Sequence, residues 1–154
     1  MILTAGTIGA YPKFAYYVKV NMPNVSTVHA IVSQIKRLSG KTSTATIMNA
    51  LQYGTNPQIE VVANLMCAGV KAYGCYTFGT NVIRIDKNMV DAFEAGGGVV
   101  RTTGGRSVYL VGVTLLHELT HWADSQDGVD DPVPGDPTNE EGNAYEIGVY
   151  GGVL

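Results

Sequence analysis

Residues 107–124, SVYLVGVTLLHELTHWAD, constrain the fold most, because the stretch is apolar on nearly every side up to His117. A helix hydrophobic all round has to lie at the centre of a domain. Inside it stands His117-Glu118-Leu119-Thr120-His121, an H-E-x-x-H motif. At 3.6 residues per turn the two histidines stack on one face, so both imidazoles can converge on one cation about 2.0–2.1 Å from each ring nitrogen. Glu118 is turned away by about 100°, where its carboxylate reaches a water at an open coordination position without being a ligand. That is the arrangement of zinc hydrolysis. Five matching residues carry little alone. Two histidines and a glutamate in an apolar helix carry more, because each needs a partner when buried and a metal supplies it.

The composition agrees with one packed domain spanning residues 1–154. Of the 154 residues 45% are apolar and 15% charged, against roughly 25% charged in an average chain. A formal net charge of −3 and a pI near 5.5, with no cluster of Lys and Arg, make nucleic acid and anionic membrane surfaces poor candidate partners. No apolar run approaches the roughly 20 residues of a membrane span, and the first residues show no export signal. Cys67 and Cys75 form no metal-binding pair. They fit either a bridge made in an oxidising compartment or two buried thiols.

Along the chain, FAYYVKV at 14–20 predicts a strand. Val28, Ile31, Val32, Ile35 and Leu38 predict an amphipathic helix capped by Ser26 and ended by Gly40. A weaker helical pattern covers 43–53. Strand patterns at 59–66, 70–78 and 82–85 predict a small, largely antiparallel sheet. Asp86 can cap a short helix through Glu94, and Gly96-Gly97-Gly98 reads as a flexible connection, not a phosphate cradle. After the central helix, 128–137 reads as loop, and a last helix starts at Thr138 or Asn139 and runs toward Tyr150, ended by Gly151-Gly152.

A catalytic zinc takes three protein ligands and keeps a fourth position for water. The remaining histidine, His29, lies on the polar edge of its helix, so the third ligand is a carboxylate: Glu140, Glu141, Glu146 or Asp124. Asp124, three residues beyond His121, is better placed to accept a histidine N–H.

At this point the chain resembles the zincin metallopeptidases, and among them the gluzincin-like branch with two helical histidines and a downstream glutamate. The likeness is strongest over 107–152. Glu140-Glu141-Gly142-Asn143-Ala144-Tyr145-Glu146 followed by Tyr150-Gly151-Gly152 is similar to an E-x-G-x-x-x-E, aromatic-Gly-Gly pattern of toxin-type metallopeptidase domains. The chain lacks the longer metzincin signature, since Asp124 and Asp127 stand where its Gly and third His would be. The aspzincin ligand segment is absent as well.

The resemblance implies an α+β, zincin-like fold, a small mostly antiparallel sheet packed on a buried active-site helix with a following ligand helix. It implies zinc as cofactor, held by His117, His121 and Glu140. Glu141 is the alternative ligand, and Glu146 an outer partner. It also implies an edge strand that pairs with an extended substrate peptide, for which 82–85 is the natural candidate. In that picture zinc polarises the scissile carbonyl and acidifies its water, and Glu118 shuttles the proton to the leaving amine. Tyr145 and Tyr150 are candidate donors to the oxyanion; Trp122 reads as core. The further expectation is a secreted toxin domain, cut from the C-terminus of a larger type VI or polymorphic-toxin effector. It would act on peptide or protein in a target cell, with a carrier and an immunity protein as partners. Two other readings stay open: a zinc-stabilised binding module, marked by a fourth protein ligand, and a zinc amidase acting on cell-wall peptide.

Overall fold

The computed structural model describes residues 1–133 and 140–154. Strand β1 (Ile2–Leu3) leads into α1 (Ala5–Ala10), whose cap Thr4 accepts the Thr7 amide. Pro12 opens α2 (Pro12–Tyr16), which continues through a π-helical turn (Tyr17–Asn21) into α3 (Met22–Val25). The strand expected over 14–20 is therefore helix. Phe14, Val18 and Met22 are fully buried while Tyr16 and Val20 are exposed, a pattern that a helix produces and a period of two does not. Packing on one helical face overrides the β-propensity of this segment, and Phe14→Ala should cost about 3–5 kcal/mol of stability. The wide turn falls just before Pro23, where a normal turn would press the proline ring on the carbonyl four residues back.

Helix α4 (His29–Leu38) buries Val32, Ile35 and Leu38, as its spacing predicts, and leaves His29 exposed. Its cap is Val28, not Ser26, whose hydroxyl donates instead to the Pro23 carbonyl. Helix α5 (Thr44–Ala50) is capped by Ser43 and is shorter than 43–53. The three expected strands resolve into β2 (Gln58–Val62), β3 (Met66–Cys67), β4 (Val70–Lys71), β5 (Gly74–Tyr76) and β6 (Val82–Asp86). Asp86 caps α6 (Lys87–Glu94), as expected. The hairpin of β7 (Val99–Arg101) and β8 (Ser107–Tyr109) takes the first three residues of the stretch predicted as helix. Then come α7 (Leu110–Asp124), a 3-10 turn (Ser125–Asp127) and α8 (Glu141–Tyr150), ended by Gly151 with φ 83°. The expected helix start at Thr138 or Asn139, and the end of the 128–137 loop, lie outside the described residues.

The main sheet has the order β1-β2-β6-β5. It is mixed rather than largely antiparallel: β1 with β2 and β2 with β6 run parallel, and β6 with β5 antiparallel. The reason lies in the connections. Residues 4–57 and 63–81 are long crossovers, which permit parallel neighbours, whereas β5 and β6 are joined by a short loop. The separate pairs β3–β4 and β7–β8 are antiparallel. Ile59, Ile83 and Ile85 of the inner strands are fully buried.

Helix α7 lies against β5, β6, α4, α6 and α8. Twelve of its fifteen residues are buried, and the less buried ones are Leu110, His117 and His121, so the only breaks in its covering beyond its first residue are at the two histidines. Trp122 is core, its Nε1 donating to Asn81. Cys67 and Cys75 are joined in a disulfide, which decides between bridge and thiols and ties the β3–β4 hairpin to β5. No helix among the described residues is long and apolar enough to cross a membrane. The whole is an α+β arrangement of the zincin-like kind that the resemblance implies.

Candidate metal centre

Helix α7 supplies His117, Glu118 and His121; the start of α8 supplies a second set of side chains. Glu140 is the cap of α8 and accepts the Asn143 amide. Its Oε1 lies 3.3 Å from His117 Nε2 and 2.7 Å from His121 Nε2. On their far sides, His117 Nδ1 meets Glu146 Oε1 at 2.7 Å and His121 Nδ1 meets Glu141 Oε2 at 2.9 Å. Each imidazole thus has one nitrogen turned to a shared centre and the other held by a buried carboxylate. Two imidazole nitrogens and one carboxylate oxygen come within 4.8 Å of one another, the donor set and spacing that suit a transition-metal ion. The approach is close: a Cβ at Gly142 would stand 2.1 Å from His117 Nε2.

The charges follow this geometry. Burial alone would lower both histidines. The carboxylates of Glu140 and Glu146 around His117, and of Glu140 and Glu141 around His121, outweigh it and hold them at about 9 and about 10. For Glu140 burial acts upward and loses to the hydrogen bonds of both histidines, which keep its carboxyl well below the usual range. Burial raises Glu118 above the ordinary carboxylate, against the pull of His117, His121 and a Tyr76 backbone hydrogen bond. Its side chain lies flat on β5, where a Cβ at Gly74 would stand 2.4 Å from Oε1.

The cavity over these groups has a volume of about 450 Å³ and is also lined by Gly74, Tyr76, Phe78 and Asp130. A neighbouring hollow of about 200 Å³ shares Gly74, His117 and Glu118 and extends past Thr114 and Asn143. The two form a groove along β5. That strand is the edge of the main sheet, so the expected edge strand 82–85 is corrected: β6 is paired on both sides, by β2 and β5. Asp86 donates its amide to the Tyr73 carbonyl. By the alternation of an antiparallel ladder the backbone groups of Gly74 and Tyr76 then face away from β6, toward the groove.

Other expected residues fall elsewhere. Asp124 bonds no histidine; its Oδ2 accepts the Asp131 amide, and Glu141 and Glu146 take the role expected of it. Burial raises its carboxyl to about 6, against the Asp131 bond and with help from Glu141. Tyr145 is fully buried and its hydroxyl lies 3.3 Å from that of half-buried Tyr150, and the described lining of the groove includes neither. Asp127, at the position of the absent metzincin histidine, accepts the amides of Lys41 and Val129. The sequence reading missed Tyr76 and Phe78 as groove aromatics and Asp130 as a neighbour of Asp124. The alternating pattern of 70–78 signalled a strand at β5 but not its place at the sheet edge.

The chain matches the family described as metallopeptidase toxin 3 over residues 7–151 of its 154. No curated protein and no solved structure matches it.

Proposed function

Because the chain belongs to the metallopeptidase toxin 3 family, we propose that it is a zinc-dependent endopeptidase in which His117, His121 and Glu140 hold the ion and Glu118 is the general base. The observation that carries this reading is the convergence of two histidine Nε2 atoms and Glu140 Oε1 beside a buried, separately held Glu118. The bound ion would supply Lewis acidity toward the scissile carbonyl and a water molecule. Glu118 is placed to take a proton from the attacking water and to carry it to the leaving amine. Its burial keeps the carboxylate basic for the first transfer, and the Tyr76 backbone bond keeps it aimed across Gly74. Glu146 and Glu141 fix the ring orientation of the two histidines by holding their Nδ1 atoms.

The substrate is an extended peptide laid against β5, where the outward backbone groups of Gly74 and the Tyr76 carbonyl would pair with it while the Tyr76 amide holds Glu118. A groove open on both sides of Glu118 favours such a chain over a small amide held in a closed pocket. As a toxin the domain is delivered into a target cell, in our reading by a type VI or polymorphic-toxin carrier and against an immunity protein in the producer. The test is the metal content and proteolysis of wild type, Glu118→Gln and Glu140→Ala. Near one zinc per chain in the first two, activity in the first alone, and little zinc in the third are the expected results. Undiminished proteolysis by Glu118→Gln would defeat the assignment of the base.

A further inference from the structure

Beside the histidine centre is a second group of ligating atoms, made of oxygen alone. One carboxylate oxygen from each of Asp124, Asp130 and Glu141 lies within 4.8 Å of the others, a span that one Ca²⁺ with oxygens at about 2.3–2.6 Å bridges. An acidic cluster is commonplace on a surface, but two of the three members of this one are not on the surface. Asp124 and Glu141 are each 3% exposed. One oxygen of each is engaged, Asp124 Oδ2 by the Asp131 amide and Glu141 Oε2 by His121. The other oxygens, Asp124 Oδ1 and Glu141 Oε1, are enclosed with no hydrogen-bond partner. Two sheltered carboxylate oxygens without donors, a few ångströms from a third carboxylate, carry a large desolvation cost that a cation between them relieves.

We propose that Asp124, Asp130 and Glu141 form a second cation site, distinct from the histidine centre, that takes Ca²⁺ and shares Glu141 with His121. The hard, oxygen-only donor set selects Ca²⁺ over the transition metals that imidazole attracts. Exposed Asp130 forms the open side, where water completes the coordination. Glu141 links the two sites: the ion holds Oε1, and Oε2 holds the His121 ring. The site stands whether or not the chain cleaves peptides. A basic side chain reaching in from the groove is the competing occupant, and the depth of Asp124 Oδ1 and Glu141 Oε1 favours the bare ion.

The experiment is a calorimetric titration of Ca²⁺ alone into the protein as purified, into Asp130→Asn and into His117→Ala, with a thermal melt of each. Asp130 is exposed, so its amide variant keeps the fold. Asp124→Asn is the second variant. The expected result is one Ca²⁺ bound with a Kd on the order of 10⁻⁴–10⁻³ M, weakened by about tenfold or more in Asp130→Asn and Asp124→Asn and unchanged in His117→Ala. Ca²⁺ should raise the Tm of the wild type and of His117→Ala, and leave Asp130→Asn where it was. Absence of binding at Ca²⁺ about tenfold above that range, or equal binding by Asp130→Asn, overturns the proposal. Binding lost in His117→Ala but kept in Asp130→Asn also overturns it, by placing the ion at the histidines. A Lys-containing peptide that binds in a way Asp130→Asn abolishes, with no response to Ca²⁺, overturns it in favour of a substrate side chain.

Discussion

The two nitrogens of each histidine face different worlds. On the Nε2 side both rings share one carboxylate, Glu140, whose side chain is 30% exposed and open to the groove. On the Nδ1 side each has its own, Glu141 or Glu146, at 5% and 6% exposure. The contrast separates holding from exchanging: buried carboxylates fix the rings, and an accessible face leaves room for a ligand and for reacting groups. It also accounts for three glutamates on one short helix and its cap.

The sharpest way to break this contrast is on the open side. Glu118→Gln should lower kcat/KM by about 10²–10⁴-fold while the protein binds zinc as before, measured by peptide cleavage beside elemental analysis. Gly142→Ala forces a side chain against His117, and a displacement of about 1 Å can cost roughly 10²-fold in rate; steady-state kinetics should show that loss with the fold intact by circular dichroism. The fixed side is sharpened by Glu146→Gln and Glu141→Gln, each expected to weaken zinc by about 10–100-fold in competition with a chelator. If either left zinc affinity untouched, the buried carboxylates would not be orienting the rings. The smallest effect lies outside the comparison. Ser43→Ala removes the α5 cap and should cost about 1 kcal/mol in denaturant unfolding with no change in rate.

The H-E-x-x-H pair was legible because its geometry is local: a spacing of four residues on one helix fixes which rings stack. The burial of that helix was legible too, since it is apolar all round. Glu140 could be singled out from the four candidate carboxylates only through a resemblance, because nothing in residues 122–139 states how the chain returns to the histidines. The place of β5 was hidden for a related reason. Alternation marks a strand but not its neighbours in a sheet, and the natural candidate, 82–85, turned out to be an interior strand. The 14–20 segment shows the opposite failure, local preference overruled by packing: its aromatic and β-branched residues read as strand, and the spacing of Phe14, Val18 and Met22 decided for helix. The closeness of Asp124, Asp130 and Glu141 depends on the fold bringing the end of α7 and its turn against the start of α8, which no spacing in the chain encodes.

The bridge between Cys67 and Cys75 has a mechanical side. It clips a two-strand flap to the strand that forms one wall of the groove. Such a clip persists where thiols are oxidised and opens where they are kept reduced. One sequence therefore has two degrees of stiffness along the rim of its groove, set by the redox state of the surroundings, and a groove assay run with and without reductant reads the difference between them.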